Sequence, residues 1–162
     1  MGKMAKALSK VLIVGVAVLG VSAPVKADDS LARYMSYCEE IGEMYGICPE
    51  LLEAMCFYES SWNPKAESTC GAYGLMQVRP EFNEERMNRL GVTDLEDAYS
   101  NILVSTDILF ELSQEYEPYD ALCAYNNGEY SDKLEEVLNG GSCGYAERIL
   151  EYSAELERLH GK

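Results

Sequence analysis

The sequence predicts one mainly α-helical domain, a compact helical bundle, behind an N-terminal leader. Apolar residues recur every three or four positions in several segments, and no segment alternates long enough to indicate a strand. Gly and Pro residues fall between these segments, where helices are expected to begin or end. A chain of 162 residues can form one domain with a substantial core but is short for two.

The first 27 residues are typical of a secretory signal peptide. Three lysines in the first ten residues precede an uncharged apolar run, and Val25-Lys26-Ala27 has the small-x-small pattern read by signal peptidase. The run is shorter than the roughly 20 residues that span a bilayer, so an uncleaved anchor is the less favoured alternative. We therefore expect a mature domain of residues 28–162 outside the cytoplasm, with no stable membrane insertion. It would be secreted to the cell wall or medium, or to the periplasm where the host has an outer membrane.

Capping residues and breakers divide the mature chain into helices. Ser30 can cap the first helix, Pro49 suits the first turn of the second, and residues 92–100 look like a connection. The first predicted helix is capped by Ser30 and ends before Gly46, and the second runs from Pro49 and stops before Pro64. The others are, in order, residues 75–78, residues 81–90, Asn101 to Tyr116, Pro118 to Asn127, residues 131–141 and Tyr145 to Leu159.

The charge of the mature chain excludes polyanions as partners. Removing the leader takes away four lysines and leaves nine basic residues against 28 acidic ones, a net charge of −19. Such a protein repels nucleic acid and anionic membrane surfaces. A neutral polymer, or one with cationic features, remains open as a partner.

The cysteines and the single histidine limit the kinds of catalytic or metal site that the chain can form. Six cysteines, all in the mature part, suggest disulfide bonds in an oxidising compartment, with fifteen pairings open. There is no CxxC pair, and His160 lies at a chain end that we expect to fray, so neither a metal site nor a histidine-activated nucleophile is supported. No phosphate-binding glycine motif is present, and we expect no cofactor. Acid–base catalysis by a carboxyl group is the mechanism that these residues leave open.

Glu59 is the strongest candidate for that chemistry. It lies one helical turn after Met55 and Cys56 and two turns after Leu52, so the helix places an acid on its apolar side. Burial disfavours the charged form of a carboxyl group and raises its pKa, as a general acid near neutral pH requires. The alternative is a capping or ion-pairing role at the helix end.

Residues 59–77 and three later elements, Asn101-Ile102, residues 124–128 and Tyr145, together resemble the soluble lytic transglycosylase (SLT) family, which is related to goose-type lysozymes. Glu59-Ser60 and residues 71–77, GAYGLMQ, match its catalytic Glu-Ser and its Gly-Ala-x-Gly-Leu-Met-Gln segment. Asn101-Ile102, residues 124–128 (AYNNG) and Tyr145 match later elements in the same order. The similarity covers most of residues 36–155 and implies a lysozyme-like helical fold with an active-site cleft.

The resemblance also implies roles for individual residues. Glu59 would be the catalytic acid, and the Tyr125 hydroxyl would help to position it. Substrate-binding residues would be Ser60, Met76, Gln77, Tyr125, Asn126 and Tyr145. Plain core packing is the alternative for Met76. Trp62 and Tyr73 could stack on sugar rings or serve as core or lid residues. The binding partner would be the glycan strands of peptidoglycan.

The implied reaction is the cleavage of the β-1,4 bond between N-acetylmuramic acid and N-acetylglucosamine, with a 1,6-anhydro product, by one carboxyl group that acts as acid and then as base. Alternatives are a hydrolytic, goose-type-like lysozyme and a non-catalytic cell-wall-binding protein. Asp94, Glu96 and Asp97 are candidates for a second carboxylate, although a solvated loop is the simpler reading. Among disulfide bonds we expect Cys56–Cys123 first, as a bridge that stiffens the site.

Overall fold

The computed structural model describes residues 27–162, a range that contains seven α-helices and one 3₁₀ turn. The turn, Pro80–Phe82, lies between the second and third helices. Within this range β structure is limited to isolated bridges, so the mainly α-helical class is confirmed. The predicted signal peptide, Ala27 apart, lies outside the described residues. In chain order the helices are α1 (Ala27–Tyr45), α2 (Pro49–Ser60), α3 (Glu84–Leu90), α4 (Ala98–Leu112), α5 (Pro118–Asn127), α6 (Asp132–Leu138) and α7 (Gly144–His160).

Most helices begin and end where capping residues predict. Pro49 occupies the first turn of α2, and the Ser131 side chain caps α6 by accepting a backbone N–H bond. Gly91 ends α3 in the left-handed conformation, with φ of 70°. α4 begins one turn earlier than predicted, because the Asp97 side chain caps it by accepting the Ser100 N–H.

Residues 75–78, predicted as a short helix, form a tight turn instead. The turn joins Tyr73 and Val78, which pair as an isolated antiparallel bridge. The buried Asn101 side chain holds it by accepting the Met76 N–H at 2.8 Å and donating to the Tyr73 carbonyl at 2.8 Å. Gly74 is required here, because its φ is +79° and a Cβ would lie 2.2 Å from the Asn101 Nδ2. Asn101 thus satisfies backbone groups that a helix would have satisfied internally.

α2, which carries Glu59, packs mainly against two other helices of the bundle. It packs against α1 on one side and α7 on the other, while α4 packs against α1 and α5, and α5 against α6 and α7. A single apolar core joins these helices, and its fully buried members include Ile41, Leu52, Met55, Ile102, Leu122 and Ile149. A smaller cluster of Val78, Val92, Leu95 and Val104 fixes the turn against α4. The last turn of α2 therefore meets the 71–78 segment, α5 and α7.

Two structural features are absent from residues 27–162. None of the helices in this range is long and apolar enough to cross a membrane. In the same residues, no group of three or more His, Cys, Asp or Glu side chains is arranged to hold a metal ion.

Candidate active site

Glu59 lies in the last turn of α2, half-buried, and its carboxyl group meets the start of α7. The Tyr145 hydroxyl, in the first turn of α7, donates a hydrogen bond of 2.7 Å to Glu59 Oε1. The two residues are 86 positions apart in the chain, so the packing of α2 against α7 creates this contact. The apolar stripe behind Glu59 is completely buried, as the sequence predicts, with Leu52, Met55 and Cys56 at 0% exposure.

The surroundings of Glu59 favour its protonated form. Burial raises the pKa of Glu59, and the hydrogen bond from Tyr145 offsets part of that rise. Among the described residues no lysine, arginine or histidine makes an ion pair with this carboxyl group. A neutral phenol orients the carboxyl group but does not supply the positive charge that would lower its pKa strongly. The group is therefore suited to releasing a proton.

Ser60, expected from the family resemblance to contact substrate, is engaged by the protein itself. Its hydroxyl donates to the Leu75 carbonyl at 2.8 Å and also lies 3.2 Å from the Cys56 carbonyl oxygen. The Asn63 N–H donates to the same hydroxyl oxygen at 3.1 Å. Ser60 thus ties the 71–78 segment to the last turn of α2. These bonds make Ser60 a structural connection beside Glu59, and its expected contact with substrate stays a prediction.

Tyr125 and Met76 are brought together, but in roles other than those expected. The Tyr125 hydroxyl donates to the Met76 carbonyl at 2.8 Å, whereas the hydroxyl that reaches Glu59 belongs to Tyr145. Burial and then the charge of Glu59 raise the pKa of the Tyr125 phenol, so the two groups are near neighbours. Met76 is 0% exposed and belongs to the core, which supports the alternative of core packing, and its expected contact with substrate stays a prediction.

Gln77 and Asn126 are the expected substrate-binding residues that remain accessible. Gln77 is half-buried, with φ of 52°, and its Nε2 donates to the Gly74 carbonyl at 3.0 Å and the Ala66 carbonyl at 3.3 Å. Its amide nitrogen is thereby fixed, which orients the amide oxygen. Asn126 is exposed at the end of α5, one residue after Tyr125.

The two aromatic candidates for sugar stacking differ in their surroundings. Trp62 is half-buried and packs against the main core immediately beyond α2. Tyr73 is also half-buried, and its hydroxyl donates to Glu67 Oε1 at 3.0 Å. The structure therefore supports core packing for Trp62 and leaves the Tyr73 ring at the edge of the smaller apolar cluster.

The candidate second carboxylates are exposed and serve the loop before α4. Asp94 Oδ1 accepts the Glu96 N–H at 2.8 Å, and Asp97 caps α4. The Glu96 carboxylate lies 3.9 Å from the Lys65 ammonium group. These contacts agree with a solvated loop. Two surface depressions, of about 450 and 380 Å³, are lined by residues 80–93 and by Phe82, Arg86 and Glu111, and neither includes Glu59.

All six cysteines are free thiols in the structure, four of them buried. The Cys56 thiol interacts with that of Cys38 on α1, and the Cys123 thiol with that of Cys143 at the start of α7. The expected Cys56–Cys123 pair is thus wrong, because each thiol faces a different neighbour.

Sequence reasoning missed the contact of Tyr145 with the acid and the bracing role of Asn101. Both residues stood out only as family matches, and no local pattern reports a contact across 25 or 86 positions. The signal available for Asn101 was a polar residue on the apolar face of α4, where a buried amide needs partners. His160 was also misjudged: its Nδ1 lies 2.8 Å from the buried Glu50 carboxylate.

Comparisons with known proteins give relatives of one kind. Membrane-bound lytic murein transglycosylase F 1 of Alkalilimnicola ehrlichii is 32% identical over 108 residues, which are 62% of this chain and 21% of that protein. The transglycosylase of Enterobacteria phage PRD1 is 35% identical over 98 residues, 58% of this chain and 36% of that one. The chain thus spans about a fifth to a third of the length of these relatives.

A solved structure supports the same fold. The X-ray structure of an inactive mutant of lytic transglycosylase Slt from Pseudomonas aeruginosa aligns with a TM-score of 0.63 at 18% identity, covering 96% of this chain and 28% of that one. The family described as the transglycosylase SLT domain matches residues 36–140, which include α2, the turn at 75–78, α4 and α5. On this match, the chain belongs to the transglycosylase SLT domain family.

Proposed function

We propose that this domain is a peptidoglycan lytic transglycosylase, a carbon–oxygen lyase in which Glu59 is the only catalytic carboxyl group. It would cleave the β-1,4 bond between N-acetylmuramic acid and N-acetylglucosamine and leave a 1,6-anhydromuramic end. The observation that carries the proposal is the half-buried Glu59 carboxyl group, held by the Tyr145 hydroxyl at 2.7 Å and supplied with no cation. Membership of the SLT family supports the substrate class.

In the first step, Glu59 gives its proton to the oxygen between the two sugars. Tyr145 donates to Oε1, which leaves Oε2 to carry that proton. Because burial raises the pKa of Glu59, a larger fraction of the enzyme holds the proton near neutral pH than an exposed glutamate would. Bond cleavage then places an oxocarbenium-like charge on the muramic carbon.

In the second step, Glu59 is a carboxylate and removes the proton from the 6-hydroxyl of the same muramic sugar. That oxygen attacks the anomeric carbon and closes the anhydro ring, so no water enters the product. The carboxylate is stabilised at this stage by the Tyr145 hydrogen bond, which favours the charged form of Glu59. The same side chain regains its proton and is ready for another cycle.

The substrate would lie across the surface formed by the end of α2, the 71–78 segment and the end of α5. The Gln77 amide oxygen, oriented by the two hydrogen bonds of its nitrogen, would accept a hydrogen bond from a sugar hydroxyl or an N-acetyl N–H. Asn126, exposed at the end of α5, would supply both a donor and an acceptor from the other side. Tyr145 would act on the substrate through Glu59.

A single catalytic carboxylate favours the anhydro product over hydrolysis. A hydrolytic lysozyme uses a second carboxylate to activate water. Asp94, Glu96 and Asp97 are exposed and engaged by a loop, a lysine and a helix start, so none of them supports that role.

We further propose that residues 1–27 are a signal peptide, and that residues 28–162 act outside the cytoplasm. The peptidoglycan substrate is located there, and the six cysteines of the mature chain suit a compartment in which disulfide bonds persist. The described residues contain no candidate membrane-spanning helix, which is consistent with this location.

The test compares two glutamate-to-glutamine variants of one helix on purified peptidoglycan. Glu59→Gln cannot release a proton and should cleave at least roughly 100-fold more slowly than the parent. Glu53→Gln makes the same chemical change two turns earlier in α2 and should keep the parental rate. The soluble products are analysed by mass spectrometry, because an anhydro end is one water lighter than a reducing end.

Each outcome separates the candidate functions. Cleavage retained by Glu59→Gln would remove Glu59 from its role. Reducing-end products from the parent would identify a hydrolytic lysozyme. No cleavage by the parent, together with binding to peptidoglycan, would identify a wall-binding protein.

A further inference from the structure

The two buried cysteine pairs join the helices that carry the candidate site. Cys38 and Cys56 are both 0% exposed, one on α1 and the other on α2, and their thiols interact directly. The two helices pack against each other, and both cysteines belong to the same buried core. A disulfide bond requires such proximity, with Cα atoms no more than about 7 Å apart.

The second pair shares a hydrogen-bond donor. Asn127 Nδ2 lies 3.6 Å from the Cys123 sulfur and 4.0 Å from the Cys143 sulfur, so both sulfurs face the same small space. The two thiols interact directly, and their exposures are 0% and 2%. Cys123 belongs to α5 and Cys143 immediately precedes α7, and these two helices pack against each other.

The remaining cysteines are exposed and lie near opposite ends of α2. Cys48 precedes the first turn, where its thiol donates to Glu50 Oε2 at 3.2 Å. Cys70 lies in the loop whose end, Leu75, is tied to the last turn by Ser60. A helix of twelve residues separates these places by about 18 Å, too far for a bond between the two sulfurs.

From these positions we infer that Cys38–Cys56 and Cys123–Cys143 are two disulfide bonds of the mature protein, and that Cys48 and Cys70 stay as thiols. Each bond forms by exchange with an external disulfide compound, such as oxidised glutathione. One cysteine thiolate attacks a sulfur of that compound and releases a thiolate; the second cysteine then attacks the mixed disulfide and releases the other. The pair loses two protons and two electrons, and the external disulfide becomes two thiols.

Burial determines when this exchange takes place. The four sulfurs are inaccessible in the folded domain, and burial raises the pKa of the Cys56 thiol and raises that of Cys123 to about 11. Little thiolate is therefore present once the helices have closed. The bonds form while the chain is folding, and the finished core then shields them from reductants.

Three of the four bonded cysteines lie close in the chain to Glu59, Tyr125 or Tyr145. Cys56 is one helical turn before Glu59, Cys123 is two residues before Tyr125, and Cys143 is two residues before Tyr145. Together they fix α2 to α1 and α7 to α5, and thus stiffen each of the two helices that make the 2.7 Å contact between Tyr145 and Glu59. This effect on catalysis rests on the proposed function, whereas the pairing itself does not.

The pairing is tested by folding the full chain with reduced and oxidised glutathione, then alkylating it in denaturant without reductant. We expect two alkylated positions, Cys48 and Cys70, a mass about 4 Da below that of the fully reduced chain before alkylation, and proteolytic fragments linked 38–56 and 123–143. Six alkylated thiols, or any link that includes Cys48, Cys70 or the pair 56–123, would overturn the inference.

A second measurement uses thermal unfolding with and without a reductant. The oxidised parent should unfold roughly 10 °C above the reduced parent, because each bond restricts the unfolded chain. This redox-dependent difference should shrink in Cys38→Ala and in Cys123→Ala but persist in the matched control Cys48→Ser/Cys70→Ser. Loss of the difference in the control alone would contradict the pairing. Neither measurement depends on enzymatic activity, so both results could still be interpreted if the proposed function were wrong.

Discussion

The two ends of α2 show how one helix gives the same residue type opposite properties. At its start, Glu50 is 1% exposed, and its carboxylate lies 2.8 Å from both His160 Nδ1 and Lys162 Nζ, with the Cys48 thiol as a third donor. At its end, Glu59 has a single hydrogen bond, from the neutral Tyr145 hydroxyl.

The difference lies in the partners rather than in burial. Burial alone raises the pKa of Glu50, but the hydrogen bonds from Lys162, His160 and Cys48 outweigh it and lower that pKa to about 2. Burial also raises the pKa of Glu59, and the phenol offsets only part of the rise. A buried carboxyl group supplied with a cation becomes a structural anchor, whereas one supplied with a neutral donor keeps its proton for chemistry.

The largest effect should follow from giving Glu59, at the end of α2, a cationic partner like those of Glu50 at its start. Tyr145→Lys places an ammonium group beside Glu59, and a neighbouring opposite charge lowers a carboxyl pKa by about 1–3 units. The protonated fraction at neutral pH falls accordingly, so we expect roughly 100-fold slower cleavage of peptidoglycan although Glu59 is intact. Assays across pH would show the activity recovering towards acidic values.

The matched control is Tyr145→Met, which fills similar space without a charge or a hydrogen bond. It should lose less activity than the lysine variant at neutral pH. Equal losses in the two variants would mean that the orientation of Glu59, and not its protonation, limits the rate.

The next largest effect concerns Glu50, at the start of α2. Glu50→Gln removes the negative charge that holds His160 and Lys162, and we expect a loss of about 2 kcal/mol in the free energy of unfolding at pH 7, measured with urea. Because the folded pKa of Glu50 lies below its ordinary value, its stabilisation is complete above about pH 4.5 and is lost as pH falls towards 2.

The variant should therefore lose less stability than the parent between pH 4.5 and 2. Lys162→Ala removes the more exposed of the two partners, at 55% exposure, and should cost less than Glu50→Gln. If the Glu50→Gln protein were as stable as the parent at pH 7, the Glu50 carboxylate would not be a structural anchor for His160 and Lys162.

A smaller effect should identify which tyrosine acts on the acid. Tyr145→Phe removes the hydrogen bond that favours the charged form of Glu59, so the pKa of Glu59 rises. If Glu59 must be protonated to start the reaction, the alkaline limb of the kcat/KM profile moves up by roughly one pH unit.

Tyr125→Phe is the control, because the Tyr125 hydroxyl donates to the Met76 carbonyl and should leave that limb in place. A shift in the Tyr125 variant alone would restore the role that the family resemblance assigned to Tyr125.

Local sequence signals were sufficient for most helices and for the position of the acid. Pro49 and Ser131 act on backbone groups within a few residues, and Glu59 follows its apolar stripe by simple helical geometry. The prediction of a helix at residues 75–78 failed because Asn101, 25 positions from Met76, satisfies the backbone of that turn.

Local sequence signals could not predict the partners of Glu59 and Glu50. Tyr145 reaches Glu59 across 86 positions and His160 reaches Glu50 across 110, so only the packing of α7 against α2 creates these contacts. The sequence thus indicated that Glu59 would lie on a buried face, whereas the burial of Glu50 and its cationic partners became evident only in the fold.

The smallest effect concerns Glu53, which lies between the two ends. It is 4% exposed, and its Oε2 has no hydrogen-bond partner among the described residues. Burial raises its pKa to about 7, with the charges of His160 and Lys162 opposing the rise and those of Glu50 and Glu39 adding to it. The folded state therefore holds a proton that the unfolded chain releases above about pH 4.5, and stability falls as pH rises from there to about 7.

Glu53→Gln cannot ionise and should lose that part of the pH dependence. We expect it to be more stable than the parent at pH 8 by about 1 kcal/mol, and close to the parent at pH 4.5, because the amide imitates the protonated acid. Urea unfolding at the two pH values measures the difference, with Glu43→Gln, an exposed acid on α1, as the matched control. A gain in the control as large as that in Glu53→Gln would show that general charge repulsion in this acidic protein, rather than the buried Glu53 carboxyl group, weakens the fold at high pH.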